Sequence, residues 1–250
     1  GTRADDVFRT AERLEAWVRR LNALDLRPDV VLATGDLVND HSAPEYERLA
    51  GLLAPLAMPL YLIPGNHDDR AALAAAFPAH DYLAADGGFH NYVIEDYPLR
   101  LVAVDTLKPG EIGGEFCEAR RDWLARRLAE APAQPTLILM HHPPFRSGLP
   151  KMDRLGLEGM DRFVETIRGF DNIERVIAGH LHRPIFRQLA NTVVSTAPAT
   201  AHQIAYEFGT EGRPTMTAEP PACHMHLWLG AEEGLVTHTI YLEDEHYARD

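Results

Sequence analysis

Four short segments gather the residues best suited to hold metal ions: Gly35-Asp36, Gly65-Asn66-His67-Asp68, His141-His142-Pro143-Pro144 and Gly179-His180-Leu181-His182. From them Asp36, Asn66, His141, His180 and His182 offer one carboxylate, one amide oxygen and three imidazoles. This mixed set of hard and borderline donors suits Mn, Fe, Zn or Co better than Ca or Mg. The two oxygens of Asp36 can bridge two ions, and Asn66 adds a neutral oxygen that does not overneutralise them. Glycines beside Asp36, Asn66 and His180 let the backbone turn sharply and come close. His180 and His182 stand two apart, so an extended segment would point both the same way. A lone Gly-Asp is usually a turn, and each of the other segments alone could be a loop with solvated histidines. Four such segments at four strand ends are a far less common coincidence, and a single motif match carries a real false-positive risk that the joint pattern does not.

The elements that must position them come next. Each segment follows a short apolar run: Val30–Ala33, Leu60–Ile63, Thr136–Met140 and Arg175–Ala178. Runs of this kind suit strands buried on both faces, and in sheet-based α/β chains ligand loops collect at the carboxyl ends of strands. Helices are expected over 5–24, where Val7, Phe8, Ala11, Leu14, Trp17, Val18, Leu21 and Leu24 share one face, and over 44–56, 116–130 and 158–168. Asp68 or Asp69 can cap another, running to Ala76. Residues 90–95 and 99–105 read as a hairpin through Asp96-Tyr97-Pro98. Beyond Arg183 the pattern is strand: 185–189, 192–196, 224–229 and 235–242. The expected class is α/β (α+β by some schemes), a four-layer α-β-β-α sandwich of two packed mixed sheets flanked by helices, as one domain over 1–250. Residues 205–222 form the one long irregular stretch, expected as a loop near the site.

Composition narrows the partners. The 250 residues carry 24 Lys plus Arg against 37 Asp plus Glu, a net charge of −13. That balance argues against a general nucleic-acid binder, which needs a basic face, whereas bound cations can reverse the charge locally and admit a phosphate. No run reaches the roughly 18 apolar residues of a membrane helix. Cys117 and Cys223 are too few for a disulfide framework and lack zinc-site spacing; two free thiols in a reducing cytoplasm are the simpler reading, a single bridge the other. A homo-oligomer is expected only because symmetric assemblies are common.

At these motifs the sequence resembles the calcineurin-like metallophosphoesterase superfamily, whose pattern is D-x-H, then GD, GNH[DE], a histidine after a strand, and GHxH. More narrowly it is similar to the bacterial class III cyclic-nucleotide phosphodiesterase and glycerophosphodiesterase group. The runs Tyr61-Leu62-Ile63-Pro64-Gly65-Asn66-His67-Asp68-Asp69, Met140-His141-His142-Pro143-Pro144, Ala201-His202-Gln203-Ile204 and Cys223-His224-Met225-His226 carry that likeness. The resemblance implies two divalent or mixed-valence metal ions, with Asp36 bridging them, Asn66, His141 and His180 completing one shell, and His182 on the other. It implies that His67 contacts phosphate and assists the leaving group, and that His202 with the loop after it shapes a substrate pocket. The implied reaction is hydrolysis of a small phosphodiester, a 3′,5′-cyclic nucleotide or a glycerophosphodiester, by attack of a metal-bound hydroxide. The D-x-H pair does not occur in residues 1–7, Gly-Thr-Arg-Ala-Asp-Asp-Val; it is expected on a strand upstream of Gly1.

The remaining histidines divide by position. His142 either orients a metal ligand from behind or packs under Pro143. His224 and His226 share a strand face and either line the pocket or are ordinary strand residues. His41, His80, His238 and His246 are expected in solvent, as are Arg146 and Lys151 unless they meet the far half of a substrate. Two rivals to the diesterase reading remain: a phosphomonoesterase or pyrophosphatase on the same core, and a non-catalytic binding scaffold that has lost one metal.

Overall fold

The protein is described here by a computed structural model covering residues 7–83 and 88–243. The expected helix from residue 5 therefore begins outside the described residues, and so does His246. Helix α1 spans Thr10–Asn22, strand β1 Val31–Ala33, helix α2 Ala43–Leu53, strand β2 Leu60–Leu62 and helix α3 Arg70–Ala76. Asp69 caps α3, its Oδ1 accepting the Ala72 N–H at 2.9 Å. The hairpin is β3 (Tyr92–Ile94) and β4 (Arg100–Val104), followed by β5 (Gly114–Glu115), α4 (Glu118–Glu130) and β6 (Thr136–Met140). A short α5 (Pro150–Asp153), β7 (Leu157–Glu158) and α6 (Met160–Ile167) lead into β8 (Ile173–Ala178). The rest is strand: β9 (Ile185–Leu189), β10 (Thr192–Thr196), β11 (Gln203–Ile204), β12 (Met216–Thr217), β13 (Ala222–Trp228) and β14 (Leu235–Tyr241).

A six-stranded mixed sheet in the order β3-β4-β6-β8-β10-β9 forms the centre. Its inner strands β4, β6, β8 and β10 run parallel, so their carboxyl ends lie together. Every residue of β4 and β6 is buried, which is why, past Arg100 and Thr136, these strands read as continuous apolar runs rather than alternating ones. One face, through Val102, Ile138, Met140 and Val176, packs on Trp123, Leu124 and Leu128 of α4 and Phe163 and Ile167 of α6. The other face, through Leu101, Ala103, Leu137, Leu139 and Ile177, packs on Ile63, Leu32, Tyr61 and Trp228. Those residues belong to, or directly follow, the parallel pair β1–β2 and the antiparallel pair β13–β14. Tyr46, Leu49, Leu73 and Phe77 of the α2–α3 region then cover Leu62 and Ala33. The layers are helix, sheet, sheet, helix, as expected.

The expectation of burial on both faces fails for β1, and in β2 it holds only at Leu62. β1 is only half-buried along its length, not buried on both faces. It pairs with β2 on one edge, and β13 pairs with β14 on one edge. Between them lies a cavity of about 1590 Å³, lined by Trp17 and Leu21 of α1, Leu32 of β1, Leu101 and Ile177 of the central sheet and Met225 of β13. β1 reads apolar because its neighbours are apolar, yet this space keeps it from full burial. Among the described residues no helix is long and apolar enough to cross a membrane.

Candidate metal centre

β1 and β2 run parallel and in register, Val31 opposite Leu60, so the loops leaving them emerge side by side. One carries Asp36 and the other Asn66. β6 ends at Met140 and β8 at Ala178, again neighbours in parallel, and the Gly179 N–H donates to the His141 carbonyl at 3.0 Å. Two sheets thus deliver four of the segments to one place. Gly65 allows the closest approach: a Cβ there would lie 2.3 Å from both the Asp36 nitrogen and its Oδ1, and 2.8 Å from Cε1 of His141. Gly65→Ala is therefore expected to displace two ligand loops at once. Overpacking usually costs about 1–3 kcal/mol, and a clash with backbone should reach the top of that range, read as a lowered Tm together with lost metal binding. An alanine variant with unchanged Tm would show that the loops can part freely.

Asp36 (φ 54°), His180 (φ 64°) and His182 (φ 48°) all occupy the left-handed region. Side-chain-bearing residues there cost about 1–3 kcal/mol each and cluster at functional sites. This corrects the extended reading of His180-Leu181-His182. The segment is a tight turn, closed by the Leu181 N–H donating to the Gly179 carbonyl at 2.7 Å. Both histidines face inward because of that turn, not because of strand alternation.

Backbone carbonyls fix every relevant imidazole. His141 Nδ1 meets the Thr34 carbonyl at 2.7 Å, His180 Nε2 that of Leu155 at 2.9 Å, and His182 Nδ1 that of His202 at 3.2 Å. A carbonyl only accepts, so each facing nitrogen carries the proton and the other nitrogen presents a lone pair. The consequence is unusual. His141 Nε2 lies 3.2 Å from Asn66 Oδ1 and 3.3 Å from Asp36 Oδ2, and His180 Nδ1 lies 3.0 Å from the same Asn66 oxygen. Four acceptors converge, an arrangement that a cation between them makes favourable. A tetrahedral ion with bonds of about 2.1 Å holds its donors about 3.4 Å apart, so Asp36, Asn66, His141 and His180 fit one metal.

Electrostatics agree. Burial pushes the Asp36 carboxyl up, but His141 and His67 outweigh it and hold it well below the ordinary carboxylate range. Burial lowers His141, but Asp36 more than offsets this and leaves it above the usual imidazole value. A proton and a metal ion therefore compete for the same nitrogen, and metal affinity should fall with pH. Burial, then His141, lowers His180 to about 3. Burial also lowers His182, which feels the Asp36 charge next most strongly.

His141, His142 and His180 bring ring nitrogens within 4.8 Å of one another, yet His142 is a poor ligand. Its Nδ1 pairs with the Thr106 hydroxyl at 2.9 Å and its Nε2 with the Ile112 carbonyl at 3.0 Å. It packs edge-on against the His141 ring and tilted against the His180 ring, at centroid distances of 4.7 and 4.6 Å, and so supports them by packing, without bonding to either. His67 is exposed at the mouth of the site; its N–H donates to Asp36 Oδ1 at 2.9 Å and its Nδ1–H to the Asn39 carbonyl at 2.8 Å. The His202 ring lies 5.0 Å from that of His182 and 4.6 Å from that of Phe8. The stretch 205–222 is not irregular throughout, since β12 within it pairs with β11 and Ala222 already belongs to β13; it is pinned by Lys151 to Glu207 at 2.6 Å and by Arg154 to the carbonyls of Thr210 and Gly212. Lys151 is thus engaged rather than solvated, while Arg146 is exposed. His80 is also engaged, bonding the Tyr82 hydroxyl at 2.6 Å; His41 and His238 are exposed. Sequence reasoning missed His90, which is 2% exposed and donates its main-chain N–H to Asp105 Oδ2 at 2.9 Å while Asp105 also pairs with Arg70. Its ring Nε2 also meets the Arg70 carbonyl at 2.8 Å, and no motif marks it because its partners are a carbonyl and a distant carboxylate. Cys117 and Cys223 are both free.

His224 and His226 line the cavity beside β13. His224 stacks on Phe186 at 5.6 Å and His226 Nδ1 pairs with the Thr237 hydroxyl at 2.9 Å. Burial, then Arg175, lowers His224 to about 4; burial, then His224, lowers His226 to about 3. Below pH 6.5 the unfolded chain takes up protons that these folded imidazoles refuse, so stability falls as pH drops toward 4, by at most about 1.4 kcal/mol per pH unit for each. Asp68, raised to about 6 by burial, acts in the opposite sense; it is common to both proteins in a variant comparison. The Tm of His226→Asn should drop less between pH 7 and pH 5 than that of the wild type. Equal drops would remove His226 from the account.

The geometry can be set beside known proteins. The family model for calcineurin-like phosphoesterases matches residues 6–184. The glycerophosphodiester phosphodiesterase GpdQ of Enterobacter lignolyticus is 34% identical over 236 residues, covering 92% of this chain and 84% of that protein. The 3′,5′-cyclic adenosine monophosphate phosphodiesterase CpdA of Pseudomonas aeruginosa is 31% identical over 196 residues, covering 78% of this chain and 70% of that one. A crystal structure of a dimetal phosphatase from Danio rerio shares the fold, with a TM-score of 0.65 at 14% identity over 93% of this chain and 89% of that one. This chain belongs to the calcineurin-like phosphoesterase family.

Proposed function

We propose that the chain is a metal-dependent hydrolase of small phosphodiesters, of the glycerophosphodiester or 3′,5′-cyclic nucleotide type. The observation that carries this is the convergence of four acceptor atoms from Asp36, Asn66, His141 and His180 at 3.0–3.3 Å. These residues would hold one ion, of Mn, Fe, Zn or Co type by their donor set. Asp36 and His182 would contribute to a second. When bound, such ions polarise the phosphoryl oxygens and supply a hydroxide nucleophile near neutral pH.

The chain's own groups do the rest. Three carbonyls lock the ligand tautomers, so each imidazole offers its lone pair without reorganisation. His67 would stand outside that shell; with Nδ1–H held by the Asn39 carbonyl, Nε2 is the free ring nitrogen, and the doubly protonated imidazolium is the form that would give its Nε2 proton to the leaving alkoxide and return to the neutral Nδ1–H ring. His202 and the pinned loop after it would line the substrate's path. The diester class is favoured over monoesters by likeness to GpdQ and CpdA. Two free cysteines favour a cytoplasmic setting. The assay is bis(p-nitrophenyl) phosphate against p-nitrophenyl phosphate after reconstitution with Mn²⁺ or Co²⁺. Diester turnover equal to or above monoester turnover is expected. Monoester preference would favour the phosphatase alternative, and no turnover on either with metal bound would favour the scaffold.

A further inference from the structure

Asp68 ends the Gly65-Asn66-His67-Asp68 segment, and the proposed chemistry leaves it unused. It is 5% exposed, and every partner it has is a strong donor. Its Oδ2 accepts the Leu37 N–H at 3.1 Å and the Gly65 N–H at 2.8 Å. Leu37 directly follows Asp36 and Gly65 directly precedes Asn66. One carboxylate oxygen therefore ties together the two loops that carry the oxygen ligands, one residue away from each. Its Oδ1 accepts the hydroxyl of Tyr46 at 2.9 Å. Tyr46 is 1% exposed on α2, and its hydroxyl also accepts the Asp69 N–H at 2.9 Å, at the cap of α3. The bracket thus runs from helix α2 through Tyr46 and Asp68 to both ligand loops.

We propose that Asp68 and Tyr46 form a positioning pair that sets the separation of Asp36 from Asn66, and with it metal affinity and coordination geometry. This rests on the metal site described above. Groups that hold ligands from behind typically change metal affinity by about 10–100-fold when removed. Asp68→Ala leaves two buried N–H groups without an acceptor and frees the loops to part. Asp68→Asn is the conservative replacement, because its Oδ1 can still take both N–H groups while its amide donates to the Tyr46 oxygen. Tyr46→Phe keeps the ring in its packing and removes only the hydroxyl. Leu49→Ala, on the same helix and 7% exposed in the same core, serves as a control that lowers Tm without touching the bracket.

The probe is Co²⁺, added to metal-free full chain and followed by calorimetry and by its visible absorption. Asp68→Ala should raise the Co²⁺ dissociation constant about 10–100-fold and alter the absorption bands. Asp68→Asn should restore both to near wild type. Tyr46→Phe should weaken binding about tenfold, the lower end of that range, and covers the case in which Asp68→Ala does not fold. Leu49→Ala should bind Co²⁺ as the wild type does despite a lower Tm. Wild-type affinity and spectrum in Asp68→Ala or Tyr46→Phe would overturn the proposal, as would equal weakening in Leu49→Ala. A wild type that binds no Co²⁺ would overturn the metal site itself, a separate result.

Discussion

Asp36→Asn is expected to abolish diester hydrolysis and to remove bound metal at the same time. Asp36 Oδ2 is one of the four converging acceptors, and Oδ1 also receives the His67 N–H. The variant keeps the size of the side chain and loses the only charge among the four donors. It also turns one acceptor into an N–H₂ donor: in one orientation the group faces the His67 N–H, and in the other it removes the Oδ2 lone pair from the four-acceptor cluster. The loss should exceed the about 10–100-fold effect of disturbing a group behind the ligands, because the ligand itself is changed. Residual activity after reconstitution and metal content per chain are the two readouts. A variant that keeps its metal while losing turnover would demote Asp36 from ligand to substrate contact.

His67→Asn is expected to give the opposite pattern: turnover lost, metal retained. Both His67 contacts to the site run through its main-chain N–H and the outward side of its ring, and its ring nitrogen is committed to the Asn39 carbonyl rather than to the four-acceptor cluster. General acid catalysis by a positioned side chain typically contributes about 10²–10⁴-fold, and kcat should fall in that range for a diester with a poor leaving group. With a p-nitrophenolate leaving group, which needs little protonation, the loss should be smaller. That contrast between substrates separates a proton donor from a residue that merely shapes the pocket. Loss of metal in His67→Asn would place it in the ligand shell and refute the assignment.

The layered fold was legible because the strands that matter carry unbroken apolar runs. Thr136–Met140 and its neighbours have no other stable place than the middle of a covered sheet. The ligand segments were legible for the same reason: each begins where such a run stops. Three features were hidden. The left-handed turn at His180 and His182 was hidden because no glycine stands at either position to signal it, and tertiary context holds two histidines where glycine would be expected. The half-burial of β1 was hidden because apolar composition records what a strand could face, not how much of it its neighbours cover. The orienting groups were hidden because they are backbone carbonyls of Thr34, Leu155, His202 and Asn39, whose side chains carry no information about the role. Asp68 and Tyr46 lie between these cases: the aspartate stands in the motif, but the tyrosine reads only as one more apolar-face residue of α2.

The most direct test of the central claim is metal titration of the chelator-stripped chain, in parallel with its Asn66→Ala and His141→Ala variants. The expected result is at least one tightly held Co²⁺ or Mn²⁺ per wild-type chain, with activity on bis(p-nitrophenyl) phosphate rising in step with occupancy, and loss of that ion in both variants. A wild type that holds no ion, or variants that hold it as tightly as the wild type, would contradict it.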